Sequence, residues 1–145
     1  MPYSSQTDIE QRLTAQVVAS LTDDSGGSSL DSAKLVDVIS DADSLINSYL
    51  RSRYSVPFVT DVPKLVVRLS ADLAIYFLFQ RKYDTDMPET IRFRYTDAVK
   101  TLESIQSGRM HLDDVPASES EVPAQVMTNK TAEDRMFTKQ LLSRW

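Results

Sequence analysis

The chain has 145 residues, no cysteine, a single histidine and a net charge of −5. That length fits one domain with a modest core, and the missing cysteine excludes disulfides, cysteine–zinc sites and thiol catalysis. An acid surplus supplies no counterion release for free, phosphate-driven nucleic-acid binding.

The opening MPYSSQTDIEQR lacks the basic-then-apolar plan of a signal peptide. Thr7-Asp8-Ile9-Glu10 fits a capping box and predicts a first helix with Ile9, Leu13 and Val17 on one side, fading near Leu21. TDDSGGSS follows as a loop. Asp31 is the expected cap of a second helix running to about Arg51 or Arg53. Its apolar stripe is Leu35, Val38, Ile39, Ala42, Leu45, Ile46 and Tyr49, at spacings of three and four. Pro57 stops it, because the residue before a proline avoids helical geometry.

Pro63 is placed to open a third helix at a position where its missing amide costs nothing. That helix is apolar almost all round, which requires cover on most sides; a chain with so few helices to supply it is expected to leave part of that cover to a partner surface. Its apolar run, residues 73–79, is far too short to span a bilayer and is flanked by Arg68, Asp72 and Arg81, so no membrane association is expected. Pro88 opens a fourth helix with Ile91, Tyr95, Ala98, Val99, Leu102 and Ile105 on one face, and Gly108 ends it. No convincing strand alternation appears before Gly108. The expected fold is therefore all-α: a small four-helix bundle over residues 1–108, followed by an extended C-terminal arm over 109–145. The arm carries Pro116, Pro123 and clustered serines and acids, then regains a pattern at Met136, Phe137, Leu141, Leu142 and Trp145. Those residues read either as a docking segment, tryptophan being an interface anchor, or as a segment folded back on its own core.

Residues capable of chemistry are sparse. His111 lies beside Asp113 and Asp114 but has no second histidine or cysteine as a metal partner, so an exposed loop residue is expected. A Ser-His-acid triad would need that same histidine. Asp37 and Asp41 are four apart and share a helix face with Asp43 nearby, which reads as a solvated face rather than a paired-carboxylate site. Gly26-Gly27 lacks the lysine of a phosphate loop. Arg51, Arg53, Arg92 and Arg94 sit near Tyr49, Tyr54, Phe93 and Tyr95; stacking on nucleic acid is one use of such a set, and ion pairs and protein contacts are the expected one. No catalytic set, cofactor or metal is predicted.

Read in order, these segments form a pattern. MPYSSQTDIEQRL, the DADSLINSYLRSRYSVPF stretch, VPKLVVRLSADLAIYFLF, RYTDAVKTLESIQSGRMHL and the closing RMFTKQLLSRW resemble the Mu-like bacteriophage family of small head-tail joining (neck adaptor, or connector) proteins. The resemblance covers roughly the first 112 residues and about the last dozen. It implies an all-α virion protein, made in the bacterial cytoplasm, that assembles as a homo-oligomeric ring beneath the portal, a dodecamer by analogy with the portal. Such a ring extends the DNA channel, lets genomic DNA pass without sequence-specific binding, and offers a surface to the tail terminator or another neck protein. On that reading Tyr76, Phe77, Phe79, Met136, Phe137, Leu141 and Trp145 are the expected partner contacts. The resemblance also implies an aspartate- and glycine-rich, calcium-type loop after the first helix. Here Ser25 and Gly27 replace acids and Lys34 stands where a closing carboxylate belongs, so no metal is expected. A tail-completion or tail-terminator protein and a small helical DNA-binding regulator are the alternatives. The first would show strands, and the second would show a basic recognition helix.

Overall fold

Thr14 decides how the N-terminal segment folds. Its hydroxyl accepts the Val17 amide at 3.4 Å and opens a new helix, so the single helix expected over this stretch is two. The computed structural model describes residues 1–24, 26, 29–82, 86–113 and 115. Among them it holds five helices and no strand: α1 (Gln6–Glu10), α2 (Ala15–Thr22), α3 (Ser32–Leu50), α4 (Lys64–Arg81) and α5 (Glu89–Gln106). The expected all-α bundle is present, with its first helix divided.

The capping box also lies two residues earlier than Thr7 and Glu10. Ser5 is the N-cap; its amide donates to Asp8 Oδ2 at 2.8 Å, while the Asp8 amide reaches Ser5 Oγ at 3.4 Å. Burial of Tyr3 and Ser4 fixes the chain immediately ahead of Ser5, and the helix starts where that anchor releases it.

Asp31 caps α3 as expected, accepting the Ala33 and Lys34 amides at 3.1 and 3.3 Å. The buried face of α3 includes Leu35, Val38, Ile39, Ala42 and Ile46 of the predicted stripe, with Leu45 and Tyr49 half-buried against the core. Pro63 and Pro88 stand at the N-caps of α4 and α5, one position ahead of the first helical residue, where no amide is required of them.

Helix α4 is the centre of the molecule and packs against each of the other four. Its buried set runs around the helix: Val66, Leu69, Ser70, Ala71, Asp72, Leu73, Ala74, Ile75, Leu78 and Phe79. Covering a helix that is apolar all round is thus achieved inside one chain, and its composition by itself gives no argument for a partner. The break between α1 and α2 helps, since both short pieces reach α4. Full burial of Leu73, Ile75 and Leu78 contributes about 1.5–3 kcal/mol each.

Gly108 ends α5 with φ +78°. The Gly108 amide bonds Ile105 O at 3.0 Å and the Arg109 amide bonds Ser104 O at 2.9 Å. A Cβ at this glycine would meet the guanidinium end of Arg53, which can swing aside, so it is the left-handed backbone that selects glycine. The chain does not leave the bundle there. Leu112 is 4 % exposed, its amide donates to the Tyr54 hydroxyl at 3.0 Å, and Val115 packs against the core. Leu112 and Val115, which follow Gly108 in the chain, thus cover apolar surface against the bundle.

Candidate functional site

The polar residues brought together by the bundle bind one another. Asp43, 9 % exposed, accepts the Tyr3 amide at 2.8 Å and the Ser70 hydroxyl at 2.6 Å. Ser4 Oγ and Ser70 Oγ are 2.8 Å apart. The Tyr3 hydroxyl donates to Asn47 Oδ1 at 2.5 Å and accepts the Phe58 amide at 3.1 Å. Burial pushes the Asp43 carboxyl above the ordinary 3.8, against the opposing pull of its hydrogen bonds to Ser70 and Tyr3. Each oxygen of Asp43 is thus engaged by a donor of its own chain, and the group bolts residues 3–4 to α3 and α4. Asp43 was expected on the solvated face with Asp37 and Asp41, which are indeed exposed. The signal was present: position 43 is four after Ile39 and three before Ile46, on the apolar stripe. A second buried acid, Asp72, faces Arg12 at 3.6 Å and Arg68 at 3.8 Å.

The second polar cluster lies on the surface after α2. Lys34 Nζ donates to Thr22 O at 3.1 Å and Asp24 Oδ2 at 2.6 Å, and lies 3.1 Å from Asp31 Oδ2. From α4, Arg81 donates to Asp24 Oδ1 at 2.8 Å and to Thr22 O at 3.2 Å, and Lys82 reaches Ser20 O at 2.5 Å. These cations meet the last carbonyls of α2, the end of a helix that favours positive charge. Hydrogen bonding to Lys34 first, then the nearby charges, holds Asp24 below its ordinary 3.8, and Lys34 does the same for Asp31. An ammonium group fills this oxygen cluster. Among the described residues no group of three or more histidine, cysteine or acidic side chains is placed to hold a metal ion.

The remaining candidates separate in space. His111 and Asp113 are exposed, and Asp114 lies outside the described residues. Arg53 sits against Gly108 at the far end of α5, roughly 20 Å along the helix from Arg94. The arginines therefore do not form one basic grip. No helix among the described residues is long and apolar enough to cross a membrane.

Of the expected partner contacts, Tyr76 and Phe77 are half-exposed. Tyr76 stacks on Tyr95 with ring centres 3.9 Å apart, and Phe77 lines a groove with Val38, Asp41, Gln80 and Arg81. Phe79 is different: at 6 % exposed it belongs to the chain's own core and offers no face on a single copy. Met136, Phe137, Leu141 and Trp145 lie outside the described residues. The apolar side chain that does protrude is Phe93, 66 % exposed, together with Val36, Val59, Met1 and Met110. Phe93 falls between Ile91 and Tyr95, two residues off the stripe on either side, a placement that turns it outward.

Comparison with known proteins places these features in a lineage. Residues 3–130 match the family described as "Bacteriophage Mu, Gp36". The "Mu-like prophage FluMu protein gp36" of Haemophilus influenzae is 34% identical over 122 residues, covering 82% of this chain and 83% of that protein. Neither name denotes a catalytic activity. The five-helix bundle described above is thus a bacteriophage protein, and the chain belongs to the Mu Gp36 family.

Proposed function

We propose that this chain is a structural virion protein, the head-tail adaptor of a Mu-like phage. In this reading copies of it form a ring beneath the portal, lengthen the DNA channel and present the surface to which the tail terminator or a neck protein binds. The observation that carries the reading is where the polar chemistry goes. In a Mu Gp36-family chain the buried acids Asp43 and Asp72 are both bound by the chain's own groups, and the Lys34–Asp24–Arg81 cluster is closed on itself. That is the economy of a scaffold, whose work is done by surfaces. A net charge of −5 suits a channel through which DNA slides without sticking. The segment with Met136, Phe137, Leu141 and Trp145 supplies the anchors toward the portal.

The test is removal of the gene product from an infection, followed by electron microscopy of the lysate. DNA-filled heads and complete tails that fail to join are expected. Tails of uncontrolled length would instead identify a terminator, and normal virions would end the reading. Light scattering of the protein mixed with its portal should show a many-copy complex that is lost when residues 132–145 are removed.

A further inference from the structure

Two outer surfaces of the bundle are complementary to each other. On α5, Phe93 stands on the side opposite Ala98 and Leu102 and is 66 % exposed. Arg92 and Arg94 flank it, each about 100° around the helix. Both are exposed, and neither has a carboxylate partner within the chain among the described residues. Beside α3 lies a groove of about 400 Å³ lined by Val38, Asp41, Phe77, Gln80 and Arg81. That volume is within the range of ordinary ligand pockets, roughly 300–1,000 Å³, and ample for one aromatic ring. Its walls are the side chains of Val38 and Phe77. Asp41 stands at the rim, with Asp37 one turn earlier on the same face. Both acids are exposed and have no cation of their own among the described residues. The groove's own cation, Arg81, is already held by Asp24 and the Thr22 carbonyl. An apolar slot with a negative rim therefore sits on the same molecule as an aromatic knob flanked by two free guanidinium groups.

The geometry points to a contact between copies of this chain in which Phe93 of one copy enters the α3–α4 groove of the next, with Arg92 and Arg94 paired to Asp37 and Asp41. This deepens the ring reading above and rests on it. Knob and slot are different surfaces, so each copy that receives a Phe93 still presents its own. Association of this head-to-tail kind closes as a ring or continues as a filament, and does not stop at a two-fold dimer. An aromatic anchor framed by arginines is also the composition in which interface energy concentrates.

The absence of cysteine makes the test direct. Asp97→Cys, one turn from Phe93 on the same exposed face of α5, and Gln80→Cys are prepared as separate proteins, mixed, and treated with a short bis-maleimide. A 97–80 cross-link in excess over the 97–97 and 80–80 products is expected. Its absence overturns the contact, as does preferential coupling of Gln80→Cys to Leu141→Cys, which would make the C-terminal segment the occupant of the groove. In sedimentation velocity Phe93→Asp should weaken self-association by at least about ten-fold, with circular dichroism confirming the helical fold. Charge reversal supplies a readout that a structural role would not move. Arg92→Asp with Arg94→Asp, and separately Asp37→Arg with Asp41→Arg, should each fail to assemble alone and regain association when mixed. No recovery on mixing would overturn the pairing. The adaptor reading fails separately: normal virions without the gene product refute it even if the cross-link forms. Unjoined heads and tails sustain it even if the cross-link is absent.

Discussion

Asp43 and Asp24 both bind groups from distant parts of the chain, yet the fold moves their protons in opposite directions. Asp43 lies between α3 and α4, where burial dominates and raises its carboxyl above the ordinary 3.8. Asp24 lies on the surface, where hydrogen bonding to Lys34 dominates and lowers it. The same side chain is thus a cost the core must offset in one place and a charge that other residues gather around in the other. Water makes the difference: the core removes hydration from Asp43 and returns it as two donors, while Asp24 keeps its hydration and adds two cations.

The comparison is broken most strongly by removing the buried member. Asp43→Ala leaves the Tyr3 amide and the Ser70 hydroxyl without their acceptor inside the core, and should lower the unfolding free energy by about 3 kcal/mol. Urea denaturation reads this as a fall in midpoint. A loss under about 0.5 kcal/mol would mean that residues 3–4 are held by apolar contacts alone.

An intermediate effect sharpens the opposition in sign. Because the folded value of Asp43 is raised, the native state holds this proton more tightly than the unfolded chain does. Its contribution to stability is present below the ordinary 3.8 and is lost as pH rises through the folded value. Asp24 and Asp31, both lowered, contribute stability that is present above 3.8 and lost as pH falls through their folded values. Thermal midpoints measured from about pH 7 down to about pH 3 should show wild type gaining on Asp43→Asn in the window just above 3.8. Below 3.8 both should lose stability together. Parallel profiles throughout would place Asp43 in a wetter site than its burial indicates.

The smallest change is expected from the surface. Lys34→Met removes the ammonium from Thr22 O, Asp24 and Asp31. Its effect on the urea midpoint should be the least of the three and should shrink in roughly 1 M salt, where the screening length falls to about 3 Å. An effect as large as that of Asp43→Ala, or one insensitive to salt, would show the cluster to be shielded from solvent.

Much of the bundle was legible in the chain. Helices α3 and α5 carry apolar stripes several turns long, and the order Asp31, Pro63, Pro88 and Gly108 marks ends that only a few backbone geometries satisfy. The start of the first helix was not, because Ser5/Asp8 and Thr7/Glu10 satisfy the same spacing rule, and only burial of Tyr3 and Ser4 chooses between them. Phe79 could not be separated from Phe77 either. A helix apolar on all sides carries no record of which side meets water, and that was settled by where α3 and α5 came to rest.

What the sequence determined by itself is local: an all-helical chain, where its long helices end, and the order of segments that marks a Mu Gp36-family protein. Tertiary structure alone decided that Asp43 is a core bolt, that α4 is covered by its own chain, and that Val38, Asp41 and Phe77 share a groove. Helix formation depends on neighbours three and four residues away, which a sequence displays. Burial and grooves depend on surfaces contributed by distant segments, which exist only once the helices have packed.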